Sequence, residues 1–138
     1  MLRLRPIYTL FNYPTLCRYE CAMLHAQRLV RMKRPDVRLV LAPRHAERIP
    51  KIEQAIAEAG EISARKTSIQ KASSPAEAHR GNIVIVDTMG ELRSIYSLAE
   101  VVFVGGTLVP IGGHSLMEPA ALGRPVVFGP QIFKQPAD

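Results

Sequence analysis

Residues 103–130 read FVGGTLVPIGGHSLMEPAALGRPVVFGP, and the fold turns on them. The apolar run 101–104 enters the glycine pair Gly105-Gly106, and a loop with a second pair, Gly112-Gly113, and His114 follows. SLMEPAALG then has the makings of a short helix bearing one acid, and PVVFG of a further apolar strand. Strand, glycine-rich turn and helix start together bring backbone N–H groups up to an anion with no side chain in the way.

The same alternation extends upstream. IVIVD at 83–87 is a buried strand and VRLVLA at 37–42 a shorter one, with further strands at 101–105 and 125–129. Helices are expected over 17–34, 46–59, 91–99 and 116–122. Pro35 stops the first, with Cys21, Leu24, Leu29 and Met32 expected on its apolar side. The second carries Ile49, Ile52 and Ile56 on one face and ends at Gly60; Pro50 lies close enough to its start to be tolerated. Residues 61–82 give a weaker signal, a strand near 62–67 and then the polar loop QKASSPAEAHRGN. β-branched runs alternating with helices specify an α/β fold, a parallel sheet with helices on both faces.

At 138 residues the chain has the length of one domain. Residues 21–138 are expected to form it, incomplete at the C-terminus, where a strand is followed only by QIFKQPAD. Residues 1–20 are read as an atypical N-terminal segment: half of the aromatics, Tyr8, Phe11, Tyr13 and Tyr19, fall there. Neither a signal peptide nor a membrane-length apolar run is present.

The net charge of +6 calls for anionic partners without choosing among them. Much of it lies in Arg28, Arg31, Lys33, Arg34 and Arg38, read as solvated cations at a helix C-terminus in preference to a binding patch. Cys17, Cys21 and His25 repeat every fourth residue, but a zinc site needs a fourth ligand and usually tighter cysteine spacing. They are read as packed helix positions in a reducing, cytoplasmic setting, and no metal site is expected.

In an open parallel sheet, ligands bind beyond the carboxyl ends of the strands. Three clusters fall there: Pro43-Arg44-His45, Thr88-Met89-Gly90-Glu91, and the loop from Gly105 to Glu118. Arg44 directly after a strand is placed for charge-assisted bonds to a phosphate. His45 serves equally well as a neighbour of that phosphate or as the start of the next helix. Thr88-x-x-Glu91 and Ser115-x-x-Glu118 are both capping-box patterns. Glu91 is read as a cap by default. For Glu118 a ligand role is favoured, because Pro119 makes an awkward first turn and a rim acid can accept both hydroxyls of a ribose. The dinucleotide fingerprint, the Walker lysine motif, metal-ligand clusters and a serine nucleophile elbow are all absent from the sequence.

LAPRHAER at 41–48, DTMGEL at 87–92 and the 103–130 segment closely resemble the C-terminal half of the bacterial 3-deoxy-D-manno-octulosonic acid (Kdo) transferases. The resemblance covers about residues 20–135. It implies the GT-B architecture, two Rossmann-like domains with the nucleotide-sugar held by the C-terminal one. It further implies transfer of Kdo from CMP-Kdo to a lipid A precursor in lipopolysaccharide assembly, with no cofactor and no metal for the transfer. Under it, Arg44 contacts the CMP phosphate with His45 beside it, and Met89, Gly90 and Glu91 line the cytidine pocket. Gly112, Gly113, His114 and Ser115 face the phosphate and sugar, and Glu118 binds the ribose. The catalytic base and the membrane-associated acceptor part belong to the family's N-terminal domain at the cytoplasmic face of the inner membrane. No catalytic residue is therefore expected in this chain. Ser115 stands where the family usually has asparagine, and Met117 where it usually has leucine. The competing readings are another nucleotide-sugar GT-B enzyme or an epimerase, and a non-catalytic basic module for nucleic acid or acidic lipid. The charge alone speaks for the last, so no nucleic-acid partner is expected.

Overall fold

The computed structural model describes residues 5–10, 16–43, 45–78, 81–104 and 116–129. Six strands form one sheet: β1 (Arg5–Leu10), β2 (Val37–Leu41), β3 (Ser63–Arg65), β4 (Ile83–Ile85), β5 (Val101–Val104) and β6 (Val126–Phe128). Their spatial order is β3-β4-β2-β1-β5-β6, and every pair is parallel. The helices are α1 (Leu16–Lys33), α2 (Ile49–Glu58), α3 (Lys66–Gln70), α4 (Pro75–Ala78), α5 (Leu92–Leu98) and α6 (Met117–Ala121), with a 3₁₀ turn at Ala46–Arg48 before α2. The α/β parallel sheet read from the sequence is the fold observed.

Alternation along each strand builds two cores, one per sheet face. Leu39 and Leu41 of β2 and Ile83 and Ile85 of β4 meet Leu24 of α1 and Ile49, Ile52 and Ile56 of α2. On the opposite face Ala42, Val86, Val102 and Val104 meet Ile95, Tyr96 and Ala99, with Leu116, Leu122 and Val126 packed against them. A fully buried aliphatic side chain stabilises by about 1.5–3 kcal/mol, so these two clusters dominate folding. The isoleucine face of α2 is the one expected; Ile52 is completely buried.

Three expectations need correction. The segment 1–20 does not stand apart, because Arg5–Leu10 is an interior strand, paired with β2 on one side and β5 on the other. Its arginines and Pro6 disguised a strand-forming run, Ile7-Tyr8-Thr9-Leu10. Pro6, as the second strand residue, sits where the ladder has only begun and a missing N–H costs little. On α1, Leu24 is buried but Leu29 and Met32 are exposed; Gln27 takes the buried place. At 100° per residue Leu29 lies about 140° round the helix from Leu24, so the two cannot share a face. Finally, the strand expected near 62–67 exists as β3, but two short helices, α3 and α4, occupy part of what was read as loop.

Among the basic residues in and just after the last turns of α1, Arg28 and Arg34 have acidic partners. Arg28 bonds Glu61 at 3.0 Å and the Ala59 carbonyl, tying α1 to the end of α2, and Arg34 lies 3.5 Å from Asp36. His25 is exposed on α1, and the described residues contain no group of three or more His, Cys, Asp or Glu side chains able to hold a metal.

Candidate functional site

Because all strands are parallel, their carboxyl ends form one rim. Leu41 is the register partner of Ile85 and of Thr9, Ile85 of Arg65, and Thr9 of Phe103. The pairing of β2 and β4 runs one step further, the Val86 N–H donating to the Leu41 carbonyl at 2.8 Å. Residues 42–43, 66–67 and 86–91 therefore leave the sheet side by side. After β1 the chain moves to one side of the sheet, and after β4 it crosses to β5 on the other. The reversal of strand order lies at β1 and β5, where such sheets bind ligands. The loops after those two strands, 11–15 and 105–115, lie outside the described residues, and so does Arg44; Gly112, Gly113, His114 and Ser115 are therefore not placed.

The placed site residues are His45, Met89, Gly90, Glu91 and Glu118. His45 precedes the 3₁₀ turn, accepting the Arg48 N–H on its carbonyl at 3.1 Å, and its half-exposed ring lies 3.8 Å from Glu47. Met89 is 81% exposed on the rim. Gly90 has φ +80°, a left-handed conformation that lets the backbone turn sharply between β4 and α5.

Glu91 does not cap α5. It occupies the N-cap position, but its side chain makes no capping bond. Its Oε2 instead accepts the Thr88 hydroxyl at 2.6 Å and an ion pair with the Lys66 ammonium. Thr88 and Glu91 thus meet, as the spacing suggested, through side chains and not through helix N–H groups. Lys66 is a residue that sequence reasoning missed.

Its neighbours continue the pattern. Thr67 donates both its backbone N–H, at 3.1 Å, and its hydroxyl to the Asp87 carboxylate. Burial pushes the Asp87 pKa up, but the two Thr67 bonds, its own backbone N–H and nearby Arg65 together leave it below the usual range. Arg65 forks onto Glu53 at 2.7 and 2.8 Å. That hydrogen-bonded guanidinium holds the Glu53 carboxyl below its ordinary value. Only the motif position of Asp87, after a buried strand, hinted at this cluster.

Glu118 is exposed in the first turn of α6, and the N-cap of α6 is Leu116, again without a side-chain cap. Pro119 costs this helix nothing, because the first four N–H groups of a helix have no intrahelical partner. The awkward-turn argument for Glu118 falls away. Burial first, and the Glu118 charge second, raise the Tyr96 hydroxyl above its ordinary pKa.

Comparison with known proteins gives a consistent picture, although no family model matches the chain. The chain is 34% identical over 112 residues to the 3-deoxy-D-manno-octulosonic acid transferase of Aquifex aeolicus, covering 81% of this chain and 29% of that protein. It is 37% identical over 108 residues to the enzyme of the same name from Chlamydophila psittaci, covering 78% and 24%. A bifunctional glycosyltransferase/methyltransferase of Fusobacterium nucleatum is 43% identical over 91 residues, covering 66% and 14%. The chain thus spans less than a third of the length of these relatives. Among solved structures, the C-terminal CMP-Kdo binding domain of WaaA from Acinetobacter baumannii superposes with a TM-score of 0.76 at 28% identity, covering 95% of this chain and 64% of that one. The chain belongs to the 3-deoxy-D-manno-octulosonic acid transferase family, with the fold of the nucleotide-sugar-binding domain of the Acinetobacter protein.

Proposed function

We propose that this chain is the donor-binding part of a Kdo transferase, holding CMP-Kdo for transfer of Kdo to a lipid A precursor in lipopolysaccharide assembly. The observation that supports this reading is the shared rim: Leu41 and Ile85 are register partners, so Pro43 and the Thr88–Glu91 turn follow neighbouring strand ends. In the proposed site Arg44 forks onto the CMP phosphate, as guanidinium groups do with phosphate oxygens, and His45 lies beside it. Met89, Gly90 and Glu91 form the cytidine side of the pocket. Gly112, Gly113, His114 and Ser115 face phosphate and sugar, and the Glu118 carboxylate accepts the ribose hydroxyls. This part of the enzyme binds and orients the donor. The base that deprotonates the acceptor and the surface that holds the lipid come from another part of the full protein, which works at the cytoplasmic face of the membrane. Among the described residues no helix is long and apolar enough to cross a membrane.

Calorimetric titration with CMP tests the reading. Glu118→Ala should weaken CMP binding about tenfold, the loss of hydrogen bonds to a charged acceptor. Equal affinity of wild type and variant would remove Glu118 from the site. The similarity to a bifunctional glycosyltransferase/methyltransferase favours a second reading, a different nucleotide-sugar transferase. Preference for UDP-sugars over CMP in the same titration would establish that one.

A further inference from the structure

Arg65, Lys66 and Thr67 are consecutive residues at the β3–α3 junction, and each reaches an acid on a different element. Arg65 takes Glu53 of α2, Thr67 takes Asp87 after β4, and Lys66 takes Glu91 at the start of α5. Only Lys66 grips the Thr88–Glu91 turn itself. Among the described residues that turn has little apolar packing. Met89 is 81% exposed, and a Cβ placed on Gly90 would meet nothing within 4 Å. The Thr88 hydroxyl and the Lys66 ammonium converge on one oxygen of Glu91. Side-chain exposure of 24% for Lys66 and 40% for Glu91 means that the pair contributes little to stability; its consequence is geometric.

We propose that Lys66 is a positioning residue: paired with Glu91, it holds the Thr88–Glu91 turn in the shape that receives the nucleotide. This rests on the assignment of that turn to the CMP pocket. Glu91 then acts as the inner anchor of the turn, and the nucleotide meets the backbone that the anchor sets.

The test is CMP titration of the whole chain, with thermal unfolding recorded for each variant. Lys66→Met should weaken CMP binding about fivefold while moving the unfolding midpoint by no more than about 3 °C. Lys66→Arg keeps a cation within reach and should retain most of the affinity. Unchanged CMP affinity in Lys66→Met overturns the proposal. Wild-type protein that binds no CMP refutes the pocket assignment itself and this inference with it, a failure visible before any substitution is made.

Discussion

Asp87→Asn tests how the rim is held to the sheet. The carboxylate accepts two Thr67 donors, one on each oxygen, and an amide has only one oxygen with which to accept. One Thr67 donor therefore faces an NH₂ group, and the remaining bond loses its charge. Hydrogen bonds to charged groups contribute about 1.5–3 kcal/mol, and the partial exposure of Asp87 places the expected loss near 2 kcal/mol. Unfolding entropy of roughly 2.1 cal/mol/K per residue over 138 residues converts this to a midpoint about 7 °C lower at pH 7. The pH dependence supplies the sharper signature. Because the folded pKa of Asp87 is depressed, its stabilisation is complete above the unfolded value of about 3.9 and is lost as pH falls through the lower folded value. Below that point wild-type Asp87 is protonated and resembles the variant. Thermal unfolding followed by circular dichroism from pH 7 down to pH 2 should show the gap closing at the acid end. A gap that stays constant with pH, or no gap at pH 7, would refute the reasoning.

Three substitutions probe the scaffold, beside the binding effects expected for Glu118→Ala and Lys66→Met. Ile52→Ala removes a completely buried side chain from the α2 face and should cost about 2–5 kcal/mol, read as a lower urea midpoint with an unchanged slope. Gly81→Ala would place a Cβ 2.5 Å from the Ile62 carbonyl oxygen at φ +111°, whereas Gly60→Ala, at φ +76°, meets nothing within 4 Å. Gly60→Ala should therefore cost about 1–2 kcal/mol and Gly81→Ala clearly more; urea midpoints in the reverse order would contradict the close approach at Gly81.

The legible parts of this protein are those whose signal is local. Ile49, Ile52 and Ile56 announce the buried face of α2 by spacing alone, and the β-branched runs of β2, β4 and β5 announce a sheet covered on both sides. The rim motifs could be placed because a parallel strand delivers its following loop to a known edge. Where spacing was stretched, it misled: Leu29 and Met32 are apolar and helical, yet exposed. Capping-box spacing brought Thr88 to Glu91, but the partner that diverts the carboxylate from the helix is Lys66.

By itself, then, the sequence determined the α/β class, the order of most elements and three motifs that each follow a strand. Tertiary structure alone decided that Arg5–Leu10 is an interior strand, since its identity as one depends on partners near residues 37 and 101. It alone joined Lys66 to Glu91 and Thr67 to Asp87. Local conformation is governed by neighbours a few residues away, whereas a strand's place in a sheet and a side chain's charged partner are chosen by segments that meet only when the chain folds.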